Sequence, residues 1–137
     1  MTDPAAPLPD ASGRDALIGA LGPDPSLLLA DDDDAFLRRL GRAMERRGFQ
    51  VEMAGSAQAA LDAIAARPPA YAVVDLRLGD GNGLDVVERL HAARPDARAV
   101  VLTGYGAIAS AVAAVKIGAV DYLSKPADAD EVIAALL

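Results

Sequence analysis

The 137-residue sequence predicts an α/β fold, a (βα)5 doubly wound parallel sheet. Five short apolar runs, over 27–30, 49–54, 71–74, 99–102 and 120–123, alternate with stretches of helical periodicity. The runs are nearly continuous in apolar character, as in strands covered by helices on both faces. Polar residues follow several runs directly, at the strand ends where such a sheet binds its ligands.

Residues 1–25 hold five of the nine prolines along with several Asp and Gly, and predict a mostly disordered lead-in. An apolar patch at Ala16, Leu17, Ile18 and Leu21 could form one or two helical turns within it. The ordered domain is expected over 26–137. After the first run come Asp31 to Asp34, then Phe36, Leu37, Leu40 and Met44 at helical spacing, with Gly48 as the stop. Ser56 predicts the N-cap of a second helix over 57–66, which ends before Pro68 and Pro69. The third run leads into Asp75. The glycine-rich segment 79–83 reads as turn chemistry, since it lacks the lysine of a phosphate loop and the carboxylate spacing of a calcium loop. A third helix carries Leu84, Val87 and Leu90. An Ala/Val-rich helix is expected over 107–117, and a fifth helix opens near Asp128. That last helix is about ten residues long and has no C-cap signal, so the expectation is a cut through a longer protein.

Composition narrows the chemistry. There is no cysteine, which excludes disulfides, zinc–thiolate sites and thiol catalysis. A net charge of −7 makes direct binding to nucleic acid a poor expectation, because that affinity comes from neutralising phosphates. The first residues lack the basic and apolar regions of a secretory signal. The uncharged stretch 99–115 is too short to span a bilayer. No membrane association and a cytoplasmic location are expected.

In this fold the residues after each strand meet in one crevice. Asp31 and Asp32, Asp75, Thr103 and Lys125 therefore converge, and Lys125 is one of only two lysines in the chain. Clustered carboxylates repel unless a cation neutralises them, and an all-oxygen set suits a hard ion such as Mg2+. With a lysine and a hydroxyl added, the set fits phosphoryl transfer to an aspartate, which needs mostly positioning and charge stabilisation.

The segments LLLADDD, YAVVDLRL-GDGNGLDVV, VVLTGYG and DYLSKPAD, in this order and spacing, resemble the receiver domains of bacterial two-component response regulators over residues 26–137. The resemblance implies a flavodoxin-like sheet of order 2-1-3-4-5 with Asp75 as the phosphorylation site. It implies Mg2+ held at Asp31, Asp32, Asp75 and the main-chain carbonyl of Arg77, with Asp32 and Asp75 as the direct carboxylate ligands. It also implies Thr103 and Lys125 on the phosphoryl oxygens, Thr103 and Tyr122 as switch residues, and a cis peptide between Lys125 and Pro126. Many receivers carry proline four residues after the phosphorylated aspartate; Gly79 stands there instead. Longer matches, among them VVLTGYGAIASAVAAVKIGAVDYLSKPADADEV, are similar to the redox-responsive RegA/PrrA-type regulators of photosynthetic proteobacteria. That implies a RegB/PrrB-like sensor histidine kinase as phosphodonor, and an attached helix-turn-helix output domain, absent from this chain, that binds DNA. The fourth helix, over 107–117, is small and apolar all round, with Lys116 as its only charge. Either it packs wholly as core or, as expected here, part of it faces a partner in a homodimer formed on phosphorylation through the fourth helix, fifth strand and fifth helix. Redox sensing would then belong to the kinase.

Other readings compete. A haloacid-dehalogenase-type phosphohydrolase also uses a strand-end aspartate, but it needs a second aspartate two residues on, where this chain has Arg77. A stand-alone phosphate relay is a further alternative. Asp33 and Asp34 read as a helix-terminal charge cluster, the arginines of the first helix as a solvated face, and His91 as a surface residue without partners.

Overall fold

Ser26–Ala30 forms β1, and its last four residues are buried, as a strand between two helical layers requires. The structure, a computed structural model, describes residues 23–103, 121–124 and 128–137. The remainder of the expected lead-in, the helix over 107–117 and the Lys125–Pro126 bond lie outside the described residues.

Asp34–Arg46 is α1. Asp33 caps it by accepting from the Phe36 amide at 3.1 Å, and Phe36, Leu37, Leu40 and Met44 form its buried stripe. The chain leaves α1 at Gly48, whose φ of 100° only glycine adopts without strain. Gln50–Ala54 is β2 and Ala57–Ala66 is α2, with Ser56 accepting from the Ala59 amide at 3.0 Å. Tyr71–Asp75 is β3, buried along its whole length. Arg77–Leu78 and Gly81–Asn82, β4 and β5, pair antiparallel as a very short hairpin. Gly83–Ala93 is α3, Arg98–Thr103 is β6 and Asp121–Ser124 is β7. Ala129–Leu136 is α4, opened by a reciprocal capping box between Asp128 and Glu131.

The main sheet runs β2-β1-β3-β6-β7 with every pair parallel, the order expected from the resemblance. Alternate residues of each strand serve opposite faces. Leu28, Ala72, Val74 and Val101 meet Ile64, Val86, Val87 and Leu90 of α2 and α3. Leu27, Leu29, Val73 and Leu102 meet Leu37, Leu40 and Met44 of α1 and Val132 and Leu136 of α4. Phe49 and Tyr71 close the lower end edge to face, with ring centroids 5.6 Å apart.

Three expectations change. The lead-in expected over 1–25 joins the fold before its end: Asp24 accepts from the Ser26 amide at 3.0 Å and pairs with Arg94 at 2.8 Å, and the Pro25 carbonyl accepts from Gln50. His91 is not partnerless, since its Nε2 lies 2.8 Å from the Ala97 carbonyl as the chain doubles back at Pro95. The glycine-rich segment is a paired hairpin rather than only a turn. Among the described residues no helix is long and apolar enough to cross a membrane.

Candidate functional site

The parallel register assembles the site. Ala30 lies opposite Val74, so Asp31, the next residue, leaves β1 beside Asp75 at the end of β3. Asp75 in turn lies opposite Leu102, and Thr103 follows at the end of β6, opposite Ser124. Four strands thus deliver polar residues to one edge, as a doubly wound sheet does.

Asp31, Asp32 and Asp75 each present a carboxylate oxygen within 4.8 Å of the others. Asp31 is 2% exposed and Asp75 7%, so water screens little of their mutual repulsion; Asp32 lies at the open side. Local turns orient them. The Asp33 amide donates to Asp31 Oδ1 at 2.8 Å, and the Arg77 amide donates to Asp75 Oδ1 at 3.3 Å. The Asp31 amide is held by the Ala54 carbonyl at 3.0 Å, which fixes the chain as it enters the crevice. An all-oxygen group this tight fits a hard divalent cation, which would offset the repulsion. Thr103, 4% exposed, brings a hydroxyl to the same edge.

Of the residues expected at the site, the structure therefore brings Asp31, Asp32 and Asp75 together and sets Thr103 and the start of the Arg77 hairpin around them. Tyr122 lies on β7 opposite Val101; its side chain, like Lys125 and Pro126, is outside what the structure describes. Asp33 and Asp34 serve α1, as a cap and as the partner of Arg38 at 2.6 Å.

Two residues at the site carry roles that sequence reasoning missed. Gly83 begins α3 so close to the end of β3 that a Cβ there would lie 2.1 Å from the Asp75 carbonyl oxygen. Its amide is bonded to the Leu76 carbonyl at 2.8 Å. Asp80, at the hairpin tip, accepts from the amides of Ala57 and Gln58 at 2.7 and 3.1 Å. Those two bonds, that from Ala57 foremost, hold its carboxyl below the usual carboxylate range. The glycines were visible in the sequence as turn formers, but the proximity of Gly83 to Asp75 was not. Asp80 gave no signal at all.

Comparison with known proteins agrees with this geometry. The family model described as the response regulator receiver domain matches residues 27–137. The photosynthetic apparatus regulatory protein RegA of Rhodovulum sulfidophilum is 72% identical over 117 residues, 85% of this chain and 64% of that protein. The acid tolerance regulatory protein ActR of Sinorhizobium medicae is 57% identical over 137 residues, all of this chain and 70% of that protein. The chain thus spans about two thirds of the length of its RegA and ActR relatives. Among solved structures, a response regulator from Burkholderia pseudomallei, crystallised with a phosphorylated aspartic acid, calcium ion and citrate, is 44% identical. It superposes with a TM-score of 0.79, covering 83% of this chain and 67% of that one.

Proposed function

The chain belongs to the response regulator receiver family, and on that premise we propose that it is a phosphoacceptor whose nucleophile is Asp75. One observation carries the reading: Asp75 ends a buried strand with two further carboxylates within 4.8 Å and a buried threonine at the same edge. The Asp75 carboxylate attacks the phosphorus of a phosphohistidine or of acetyl phosphate. The P–N or P–O bond of the donor breaks as an acyl phosphate forms on Asp75. The Arg77 amide on Asp75 Oδ1 limits rotation of the carboxylate, so the attacking group is aimed before the donor arrives. Asp31, Asp32, Asp75 and the Arg77 carbonyl would hold Mg2+, which when bound neutralises charge on the transferring phosphoryl group. The Thr103 hydroxyl and the Lys125 ammonium donate to the phosphoryl oxygens.

The family is a receiver and not a turnover enzyme; the only chemistry proposed is Mg2+-dependent self-phosphorylation and slow loss of the phosphoryl group. Arg77 stands where a hydrolase of similar fold needs its acid, which argues against turnover. The phosphodonor is a RegB/PrrB-like sensor histidine kinase in the cytoplasm. The regulator it serves controls transcription through a DNA-binding output domain, as the similarity to RegA suggests. These 137 residues contain no cysteine, so a redox input does not act through a thiol of the receiver, and the reading assigns it to the kinase. Phosphorylation shifts Thr103 and Tyr122 and favours a homodimer through the helix expected over 107–117, β7 and α4. A beryllofluoride-activated receiver similar to this chain, at 26% identity and a TM-score of 0.75, is itself a dimer.

Intact mass after incubation with acetyl phosphate and Mg2+ tests the proposal. Wild type should gain one phosphoryl group and Asp75→Asn none; equal labelling of the variant would exclude Asp75.

A further inference from the structure

We infer that Asp80 is a positioning residue for the phosphoacceptor site, clamping the hairpin that flanks Asp75 onto the start of α2; this deepens the receiver reading and rests on it. The hairpin bonds to the acidic cluster at one point and passes beside it at a second. The Arg77 amide reaches the Asp75 carboxylate, and a Cβ at Gly79 would lie 3.6 Å from Asp32 Oδ2. Whatever fixes the hairpin therefore fixes two sides of the cluster.

The hairpin's own pairing is too small for that task. Each strand is two residues long, and an isolated pair of strands is marginal in water even when longer. Gly79 and Gly81 flank the tip and give it more backbone freedom than any other residue type. Asp80 supplies the missing constraint. Its two oxygens accept separately from the Ala57 and Gln58 amides, which begin α2 and have no intrahelical partner. Its charge also complements the positive end of the helix dipole. Gly81 packs against the same turn, where a Cβ would fall 2.9 Å from the Ala57 Cβ, so the approach is close on both sides of the tip.

Ser56 separates the two roles a cap can have. It takes the Ala59 amide of the same helix from three residues away, whereas Asp80 reaches back 23 residues in sequence. The serine stabilises α2. The aspartate also ties α2 to the loop that carries the site.

The test compares Asp80→Ala, Asp80→Asn and Ser56→Ala for Mg2+ affinity by calorimetry and for labelling rate by acetyl phosphate, with urea unfolding as the measure of stability. Asp80→Ala should weaken Mg2+ binding and slow labelling by about tenfold, the low end for outer groups that orient metal ligands. Asp80→Asn, which keeps one acceptor oxygen, should fall between. Ser56→Ala should lose stability yet keep both values. Mg2+ affinity in Asp80→Ala within about twofold of wild type would overturn the inference, as would an equal loss in Ser56→Ala. A wild type that takes no phosphoryl group would instead sink the receiver reading, while the Mg2+ comparison would still decide the role of Asp80.

Discussion

Gly83→Ala inserts one methyl group between the start of α3 and Asp75 at the end of β3. The added Cβ would sit 2.1 Å from the Asp75 carbonyl oxygen, 2.9 Å from its carbonyl carbon and 2.9 Å from Val74 Cγ1. The first of these falls short of an ordinary 3.4 Å contact by about 1.3 Å, and two of the three atoms are backbone that cannot rotate away. Either β3 or α3 must move. Overpacking of this kind costs up to about 3 kcal/mol, and the better helix propensity of alanine returns at most about 1 kcal/mol. The net loss is about 2–3 kcal/mol, which lowers the melting temperature by about 8–12 °C for a domain of this size. Gly55→Ala is the control, because nothing lies within 4 Å of its added Cβ, and it should melt within about 2 °C of wild type. Thermal unfolding followed by circular dichroism reads both. Since the displaced atoms belong to Asp75, labelling by acetyl phosphate should fall in Gly83→Ala as well. A Gly83→Ala protein that melts with wild type, or a Gly55→Ala protein that loses as much, would refute the close approach as the reason for the glycine.

Asp32→Asn removes one charge from the acidic cluster and should weaken Mg2+ by about tenfold or more; an unchanged titration would place the metal elsewhere. Asp24 is held at a pKa of about 2, below its ordinary 3.8, first by the Ser26 side chain and then by Arg94. A depressed carboxylate stabilises the fold above pH 4 and loses that contribution as pH falls through 2, so Asp24→Asn should flatten the stability profile across this window. The effect will be small, since the Asp24 side chain is 43% exposed and solvent screens the pair; a profile parallel to wild type between pH 4 and 2 would remove Asp24 from the account. Beryllofluoride should convert the chain from monomer to dimer in sedimentation, and a monomer at tens of micromolar would defeat the proposed interface.

The parts of this molecule that could be read from the sequence are those encoded by local pattern. The unbroken apolar run at Leu27 to Ala30 announced a strand covered on both faces, and the residue after it, Asp31, then had to enter the crevice. Ser56 announced the start of α2, and the structure places the cap there. What could not be read depends on contacts distant in sequence or on sub-ångström packing. Asp80 is one acidic residue among the glycines of a turn until the fold brings α2 beneath it. Gly83 needs no special φ, so its requirement is steric and leaves no conformational signature. The hairpin was missed because two residues per strand cannot show a period. His91 looked isolated because its partner is a backbone carbonyl beyond a proline turn.

The central claim is that Asp75, and no other carboxylate of the acidic cluster, carries the phosphoryl group. Borohydride reduces an acyl phosphate on aspartate to homoserine, which marks the residue permanently for peptide mass mapping. After incubation with acetyl phosphate and Mg2+ followed by borohydride, homoserine should appear at position 75 alone and should vanish when Mg2+ is chelated. Homoserine at Asp31 or Asp32, or labelling of Asp75 that is indifferent to the metal, would contradict the account.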